Sequence, residues 1–389
     1  MRIGVQERRR RLGVRHALAP PAPTVEQVTA SLVALHSTDP ASMMLSVLAR
    51  LENPSIAAIE RALYDDRSIV RILAMRRTVF AVPSHEAAEF LSTVQHSVAA
   101  SEYRKLRALV ADSGTRDPDA WLAAAHAAAL AAFDRLADFT SGELAASDPL
   151  LGTRIQIGAG TKYATTQSVA SRLLTVMSVQ GHVVRARPEG SWASTRFRWS
   201  AMGRWLPDLG PLPETGPARA VVARRWLARF GPARPEDLQW WTGWTKGHTT
   251  AALAPLDTVE VELDSGTGIV LADDLEPTPE PAPWVALLPA LDPTTMGWKH
   301  RDWYLGPHGD RLFDVNGNAG PTIWHDGHIV GGWAIRDDGT VATRLLTDVG
   351  READEAITAR AAQLEARLDG TVVKARARGW SPLEQELRA

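Results

Sequence analysis

The sequence contains a hairpin signal at His182-Val183-Val184-Arg185-Ala186-Arg187 and Thr195-Arg196-Phe197-Arg198-Trp199. Both runs favour strands, and Pro188-Glu189-Gly190-Ser191 between them is typical of a turn. Before this hairpin, residues 119–138 and the capped run that follows Thr140 predict two helices. A third helix is predicted over residues 163–180, capped near Thr165 and closed by Gly181. Three helices followed by a hairpin form the order of a winged helix, whose third helix enters a groove of DNA.

The same order of elements occurs twice more. After this unit, helices are predicted over residues 218–230, 235–241 and 245–253, and a hairpin over residues 259–271. Before it, residues 24–35, 40–51 and 55–63 have helical patterns, and residues 69–73 and 78–82 are strand-like around a turn at Met75-Arg76-Arg77. Three units in tandem would account for the chain up to about residue 275.

The last part of the chain has a different pattern. Residues 276–283 contain four prolines and predict a linker. Beyond it, strand-like runs at 284–291, 311–315, 322–324, 329–335 and 341–345 precede a helix over 352–368 and a short polar tail. We therefore expect an α+β protein with three tandem winged-helix units followed by a small antiparallel β-barrel or sheet domain. The expected divisions are an N-terminal arm (1–23), three units (24–115, 116–215 and 216–275), the linker (276–283) and the β domain with its C-terminal helix (284–389).

Composition excludes several classes of function. The chain has no cysteine, which removes disulfides, thiolate metal sites and cysteine nucleophiles. A Gly-rich phosphate loop, a His-Glu-x-x-His helix and an Asp-rich magnesium loop are all missing, so we expect no metal or nucleotide cofactor. No apolar run is long enough for a membrane helix, and the basic N-terminus leads into no apolar signal region. We expect a cytoplasmic, nucleoid-associated protein without membrane contact.

The charge distribution favours a nucleic-acid partner. The net charge is −2, yet residues 150–235 contain thirteen basic and three acidic residues. A block of +10 predicts a phosphate-facing surface, with a solvated basic face as the alternative. The DNA-binding residues predicted on the middle hairpin are Arg185, Arg187, Arg196 and Arg198. The third hairpin carries Glu260, Glu262 and Asp264 instead and would repel phosphates, so the third unit is interpreted as a scaffold.

The candidate catalytic residues lie in Leu35-His36-Ser37-Thr38-Asp39-Pro40, between two predicted helices. His36, Thr38 and Asp39 place an imidazole, a hydroxyl and a carboxylate within one turn, and we expect them to face the same corner of the fold. An Asp before a Pro is equally typical of a helix N-cap followed by a first-turn proline. His36 is equally interpreted as a histidine satisfied at a helix end. Either structural role is compatible with a catalytic one.

A second cluster follows Leu291-Asp292-Pro293. Trp298 and Trp303 are predicted to wedge or stack on bases, and Lys299, His300 and Arg301 to hold phosphates. An ordinary turn with its tryptophans packed on the core is the alternative. The tip of the first hairpin adds two further phosphate-binding candidates, Arg76 and Arg77. The run Asp314-Val315-Asn316-Gly317-Asn318-Ala319-Gly320-Pro321 predicts a tight loop between strands.

Five strings carry a resemblance to a known family: residues 35–40, 76–83, 230–243, 288–293 and 316–321. They resemble the winged-helix DNA glycosylase superfamily, the AlkZ- and YcaQ-like relatives of the azinomycin-resistance glycosylase, over about residues 24–370. The resemblance implies a C-shaped stack of three winged helices closed by a β-barrel. It also implies removal of N-alkylated purines, including interstrand crosslinks, from double-stranded DNA without a strand-cleaving lyase step. The active-site motif of the family is Gln-x-Gln or Gln-x-Asp. This sequence has His36 at the first position and Thr38, or Asp39 if one residue is inserted, at the second.

The chemistry of such a reaction can be met without the glutamines. An N7-alkylpurine carries positive charge on the base, so it leaves without a strong general acid, and the protein must stabilise an oxocarbenium-like sugar and position a water. Asp39 would stabilise the sugar and help to activate the water, while His36 or Thr38 would orient it. No lysine lies near this junction, which favours hydrolysis over a Schiff-base mechanism.

Three functions follow as hypotheses. The first is a monofunctional DNA glycosylase that acts on N-alkylated (N7-alkylpurine) or crosslinked bases in DNA repair or genotoxin self-resistance. The second is a non-catalytic winged-helix DNA-binding protein, either a transcriptional regulator or a damage-sequestering resistance protein, and the missing glutamines favour it. The third is a protein-interaction scaffold that does not bind DNA.

Overall fold

The computed structural model describes residues 1–95, 97–158, 160–161, 164–371, 373 and 379–389. Over these residues the chain combines helices with small antiparallel sheets, one of three strands, one of four and three of two. The mixed helix-and-sheet class expected from the sequence is confirmed. Among the described residues, no helix combines the length and the apolar character that a membrane span needs.

The first third of the chain, residues 1–95, contains the small sheet that carries His36. Its helices are α1 (Val5–Arg15), α2 (Val25–Ser31), α3 (Pro40–Leu48), α4 (Ile56–Glu60) and α5 (Ala87–Val94), and its strands are β1 (Leu35–His36), β2 (Ile69–Leu73) and β3 (Val79–Pro83). The strands form one sheet in the order β1-β3-β2. The helix expected to reach residue 35 ends at Ser31, because Val33 adopts a left-handed backbone (φ 64°) and Leu35 then pairs with Ala81.

The middle third contains mostly helices and two hairpins. Its elements are α6 (Ser97–Asp112), α7 (Pro118–Arg135), α8 (Ser141–Ala146), α9 (Pro149–Gly152), β4 (Arg154–Ile157), β5 (Thr165–Ser168), α10 (Val169–Val179), β6 (Val183–Pro188), β7 (Phe197–Ala201) and α11 (Met202–Trp205). Thr140 and Glu143 form the capping box that starts α8. The helix expected from residue 163 begins only at Val169, because β5 pairs with β4. The start of that expected helix, at Tyr163, lies outside the described residues.

In the segment expected to form the third unit, three helices precede a hairpin, as the sequence predicts. Its elements are α12 (Thr215–Phe230), α13 (Pro235–Thr242), α14 (Lys246–Leu253), β8 (Thr258–Leu263) and β9 (Gly266–Leu271). The acidic hairpin β8–β9 contacts the N-terminal arm, since Arg2 pairs with Asp264 at 2.8 Å and Ile3 packs on Val261. Arg2 therefore compensates part of the negative charge of this hairpin.

The last part of the chain forms an open sheet flanked by helices. It contains β10 (Val285–Leu288), α15 (Asp302–Leu305), α16 (Gly309–Leu312), β11 (Thr322–His325), β12 (His328–Ile335), β13 (Val341–Leu345), α17 (Arg351–Leu368) and α18 (Pro382–Arg388). The strand order is β10-β11-β12-β13, and in the described residues the two edge strands do not pair, so the barrel alternative is wrong there. The strand expected at 311–315 is wrong as well, because that segment ends α16 and enters a tight loop. The expected polar tail contains α18, whose Leu383 and Leu387 are buried.

The buried residues show how these parts join. One large core cluster combines residues of the first third, the third unit and the open sheet, including Leu35, Trp226 and Trp333. The helices of the middle third pack around a separate cluster that includes Phe139 and Leu173. The shared core fixes the first third, the third unit and the sheet against one another. The boundaries expected between the units stay a prediction.

A buried ion pair lies at the centre of this shared core. Arg50, just after α3, donates to both carboxylate oxygens of Asp292, and both side chains are fully buried. Ser46 and the backbone amide of Thr294 also donate to Asp292, while Arg50 donates further to the carbonyl oxygen of His16. Burying two charges costs free energy that only a fully hydrogen-bonded geometry recovers. The network ties the segment after β10 to α3.

We expect Asp292→Asn to lower the free energy of unfolding by about 3–5 kcal/mol, because it leaves the Arg50 charge buried without its counter-ion. Chemical denaturation measures the change. Asp273→Asn is the matched control, since Asp273 pairs with Arg224 at 2.7 Å on the surface and its loss is expected to cost less than about 1 kcal/mol. Equal effects of the two substitutions would contradict the role assigned to the buried pair.

Candidate active-site cleft

A cleft of about 410 Å³ opens between the first third, α13 and the segment after β10. Its volume lies within the range of small-molecule sites. The residues that line it are Ala34, His36, Arg76, Thr78, Phe80, Trp240, Trp241, Leu291, Pro293, Met296, Arg301, Asn316, Gly317 and Asn318. The cleft therefore brings together residues from all five strings singled out in the sequence.

His36 reaches the cleft from β1. Its backbone pairs with Phe80 on β3, and its imidazole meets the Phe80 ring edge-on with centroids 5.7 Å apart. The next residue, Ser37, is buried, and Arg71 donates to its hydroxyl at 2.7 Å and to its carbonyl oxygen at 2.9 Å. The hydroxyl of Thr38 accepts from the backbone amide of Val79 at 3.3 Å. Both flanking contacts hold the strand that carries His36.

Asp39 faces a different part of the fold. Its carboxylate accepts from the amide of Ala41 at 3.1 Å and caps α3, and the residue is only 5% exposed. It lines a second cleft of about 40 Å³ together with Glu384 and Arg388. The expectation that His36, Thr38 and Asp39 face one corner is therefore wrong for Asp39. The backbone is extended up to the cap, so successive side chains alternate sides.

Two arginines give the main cleft its charge. The guanidinium of Arg76 lies 4.8 Å from the centroid of Trp240, and that of Arg301 lies 4.9 Å from the same ring and 4.7 Å from Phe313. Neither forms an ion pair with a carboxylate of the described residues. Burial, followed by the nearby charge of Arg301, lowers the pKa of Arg76. Two adjacent cations without counter-ions make this cleft suited to an anionic group.

The backbone at the tip of the first hairpin is strained. Arg76 and Arg77 have φ values of 56° and 57°, in the left-handed region that few residues other than glycine adopt. Gly243, the C-cap of α13, gives the Arg76 side chain room, since a Cβ there would lie 2.8 Å from Arg76 Cγ. Arg77 instead pairs with Glu102 at 2.6 Å. Of the two arginines predicted for phosphates, only Arg76 lines the cleft.

The loop 314–320 forms the opposite rim. The carboxylate of Asp314 accepts from the backbone amides of Asn316 and Asn318 at 2.8 and 2.9 Å, and from the side-chain amide of Asn318 at 3.0 Å. Gly317 has a φ of 78°, which the turn requires. The expected tight loop is confirmed, and its residues Asn316, Gly317 and Asn318 line the cleft.

Of the tryptophans of the second cluster, Trp298 belongs to the core and Trp303 packs against it. Trp298 is 2% exposed, stacks on His16 with centroids 5.8 Å apart, and donates its indole N–H to the carbonyl oxygen of Phe230 at 3.0 Å. Trp303 meets Trp298 edge-on, and Arg8 lies 4.1 Å above it. The expectation that Trp298 wedges or stacks on bases is wrong, because its ring is buried in the core. For the half-buried Trp303 the same expectation stays a prediction.

The cations of that cluster divide into three environments. The backbone amides of Lys299 and His300 both donate to one oxygen of Asp237 at 2.9 Å, and the His300 imidazole lies 3.1 Å from the same oxygen. His300 is thereby committed to a buried carboxylate. The side chain of Lys299 is exposed to solvent, and only Arg301 lines the cleft.

The basic hairpin β6–β7 is largely compensated within the chain. Arg187 pairs with Glu60 and Asp65, and Arg198 pairs with three carboxylates, those of Asp138, Glu143 and Glu189. Arg185 packs 4.2 Å from the ring of Phe197, and burial lowers its pKa to about 9. Arg196, with 73% of its side chain exposed, is 3.8 Å from Glu189. Arg187 and Arg198 therefore already have acidic partners within the chain, and the role of the four arginines as phosphate ligands stays a prediction.

Arg71 and Arg50, which sequence reasoning missed, have one sequence signal in common. Arg71 interrupts the apolar run Ile69-Val70-Arg71-Ile72-Leu73, and Arg50 interrupts Val47-Leu48-Ala49-Arg50-Leu51. A lone charge in an apolar run indicates a buried, hydrogen-bonded group. Trp240 lies in one of the strings of the resemblance, but no role was assigned to it.

Comparison with known proteins gives two matches. The sequence model of the family described as DNA glycosylase AlkZ-like matches residues 29–367. The structure is similar to that of the DNA glycosylase AlkZ of Streptomyces sahachiroi, with a TM-score of 0.75 and 19% identity over 97% of this chain and 100% of that one. At this identity the second likeness shows the fold alone. No curated protein sequence matches the chain.

Proposed function

The chain belongs to the AlkZ-like DNA glycosylase family, and we propose that it is a monofunctional glycosylase that hydrolyses the N-glycosidic bond of N-alkylated purines, N7-alkylpurines above all, or of crosslinked bases in double-stranded DNA. Its context would be DNA repair or genotoxin self-resistance. The observation that carries the proposal is the cleft in which His36 shares one volume with Arg76 and Arg301, two arginines that pair with no carboxylate in the part of the chain that the structure describes. Two cations and a proton-accepting side chain beside one enclosed volume suit an extruded nucleotide and its phosphates.

The fold supports a DNA-binding surface made of repeated units. In each of the first three parts of the chain, helices precede an antiparallel hairpin, namely β2–β3, β6–β7 and β8–β9. We interpret these parts as three winged helices, with the boundaries expected from the sequence. Arg76 and Arg301 would hold phosphates next to the extruded base, and the exposed Lys299 and Arg196 would contribute further contacts.

We assign to His36 the role of orienting or deprotonating the attacking water. A cationic N7-alkylpurine departs without a strong acid, so a group that orients or deprotonates the attacking water is the main requirement. His36 lines the cleft, whereas the carboxylate of Asp39 lies in the second cleft. We therefore move the catalytic assignment from Asp39 to His36. Thr38 takes a positioning role through its contact with the Val79 amide.

We expect His36→Ala to lower the rate of N7-methylguanine release from methylated duplex by about a hundredfold while the duplex affinity changes little, because the lost group acts on the water. Asp39→Asn is the matched variant. Asparagine keeps the helix cap and removes only the charge, so we expect release within about threefold of the parent protein. Chromatography of the released base measures both rates. Abolished release by Asp39→Asn with full release by His36→Ala would contradict this assignment and restore the sequence-based one.

The cations of the cleft have their own test. The logarithm of DNA affinity falls with the logarithm of salt concentration by about 0.9 per neutralised phosphate. We expect Arg76→Ala and Arg301→Ala each to reduce this slope by about one, as measured by fluorescence anisotropy over a salt series. Arg187→Ala is the control, because Glu60 and Asp65 already neutralise Arg187. A slope that changes only in Arg187→Ala would place the phosphates on the middle hairpin instead.

A non-catalytic DNA-binding protein is the second candidate function. The observation that favours it is that no aspartate or glutamate of the described residues lines the main cleft. A regulator of this kind would shift one specific operator in a gel and leave methylated DNA intact. The glycosylase would bind without such preference and leave abasic sites.

A further inference from the structure

The middle hairpin contacts the strand that carries His36 through a stack of two arginines and one phenylalanine. Phe197 on β7 contacts both, with the guanidinium of Arg185 at 4.2 Å and that of Arg71 at 4.8 Å from its ring centroid. Arg71 is 2% exposed and donates to the hydroxyl and the carbonyl oxygen of Ser37. Ser37 directly follows His36, so the stack ends one peptide from the proposed catalytic residue.

This arrangement is costly in electrostatic terms. Neither Arg71 nor Arg185 forms an ion pair with a carboxylate in the described part of the chain, and the charge of Arg71 contributes to the lowered pKa of Arg185. Each also has one buried guanidinium nitrogen without a hydrogen-bond partner among the described residues, Nη1 of Arg71 and Nε of Arg185. An apolar residue at position 71 would continue the run of β2 without these costs. The retained charge therefore points to a task other than stability.

We propose that Arg71 is a positioning residue that holds the His36 strand, and that Phe197 and Arg185 of the middle hairpin hold Arg71 in place. The inference rests on the proposed function, and it adds that the docking of the middle hairpin sets the rate of base release. The planar fork of an arginine makes two directed hydrogen bonds to Ser37, which a lysine cannot reproduce. The Phe197 ring, 4.8 Å from the guanidinium, packs against it and restricts its movement.

The same interface contains a natural control. The guanidinium of Arg67 lies 4.5 Å from the ring of Trp205, and its Nη1 donates to the carbonyl oxygens of Arg204 and Trp205. This second arginine–aromatic contact also joins the first third to the middle third. It does not contact Ser37, so it separates the effect of a weakened interface from the effect of a displaced strand.

The test compares Arg71→Lys and Phe197→Leu with Arg67→Lys in the full-length protein. Single-turnover release of N7-methylguanine gives the rate, and anisotropy with the same duplex gives the affinity. We expect Arg71→Lys to slow release by about tenfold and Phe197→Leu by several-fold, each with affinity within about twofold. Arg67→Lys is expected to change neither quantity. Equal slowing by Arg67→Lys and Arg71→Lys would overturn the proposal, since it would reflect the interface alone.

A second readout does not depend on catalysis. The imidazole resonances of His36 in the free protein, assigned with His36→Ala, report the position of the ring. We expect them to shift in Arg71→Lys and Phe197→Leu and to stay in place in Arg67→Lys. A parent protein that releases no base would contradict the proposed function, and a shift would then still support the positioning role. Unshifted resonances in both Arg71→Lys and Phe197→Leu would overturn that role whether or not base is released.

Discussion

The ion pair between Arg50 and Asp292 is the contact on which the cleft depends. Two charges removed from water are unfavourable unless they are hydrogen-bonded to each other and to their surroundings, and here Ser46, the Thr294 amide and the His16 carbonyl add to the bidentate pair. The pair therefore has one acceptable geometry. It anchors the residues after β10 on α3, and Leu291 beside it tolerates a left-handed backbone with a φ of 61°.

The position of the cleft cations follows from this anchor. The anchored segment continues to Arg301, which approaches Trp240 from one part of the chain while Arg76 approaches it from the strained tip of the first hairpin. Most other arginines of the molecule that were predicted for DNA have acidic partners, as Arg77, Arg187 and Arg198 do. In these three arginines, an intramolecular carboxylate already provides the negative charge that a phosphate of DNA would provide. Arg76 and Arg301, which pair with no carboxylate of the described residues, are for this reason better candidates for the proposed phosphate contacts than the basic block of the sequence.

Local features of the fold could be predicted from the sequence, and long-range ones could not. The capping box at Thr140 and the three hairpins depend on residues close together in the chain, so their patterns were sufficient. The pairing of β5 with β4 replaced a helical turn that the pattern favoured, because strand pairing outweighs a weak propensity. The same holds for the site. His36 and Arg76 could be singled out by type, but the side to which Asp39 points depends on its cap and on the second cleft formed with Glu384, 345 positions further along the chain.

The central claim is that this cleft removes damaged bases rather than only binding DNA. The most direct measurement is a gel assay of heat- or alkali-labile abasic sites in duplex DNA treated with a methylating agent or with a bifunctional crosslinking agent, and then incubated with the full-length protein. The account predicts strand breaks at modified purines after alkali, none in untreated duplex, and none without alkali because no lyase step occurs. Modified duplex that is bound tightly and stays intact after alkali would contradict it.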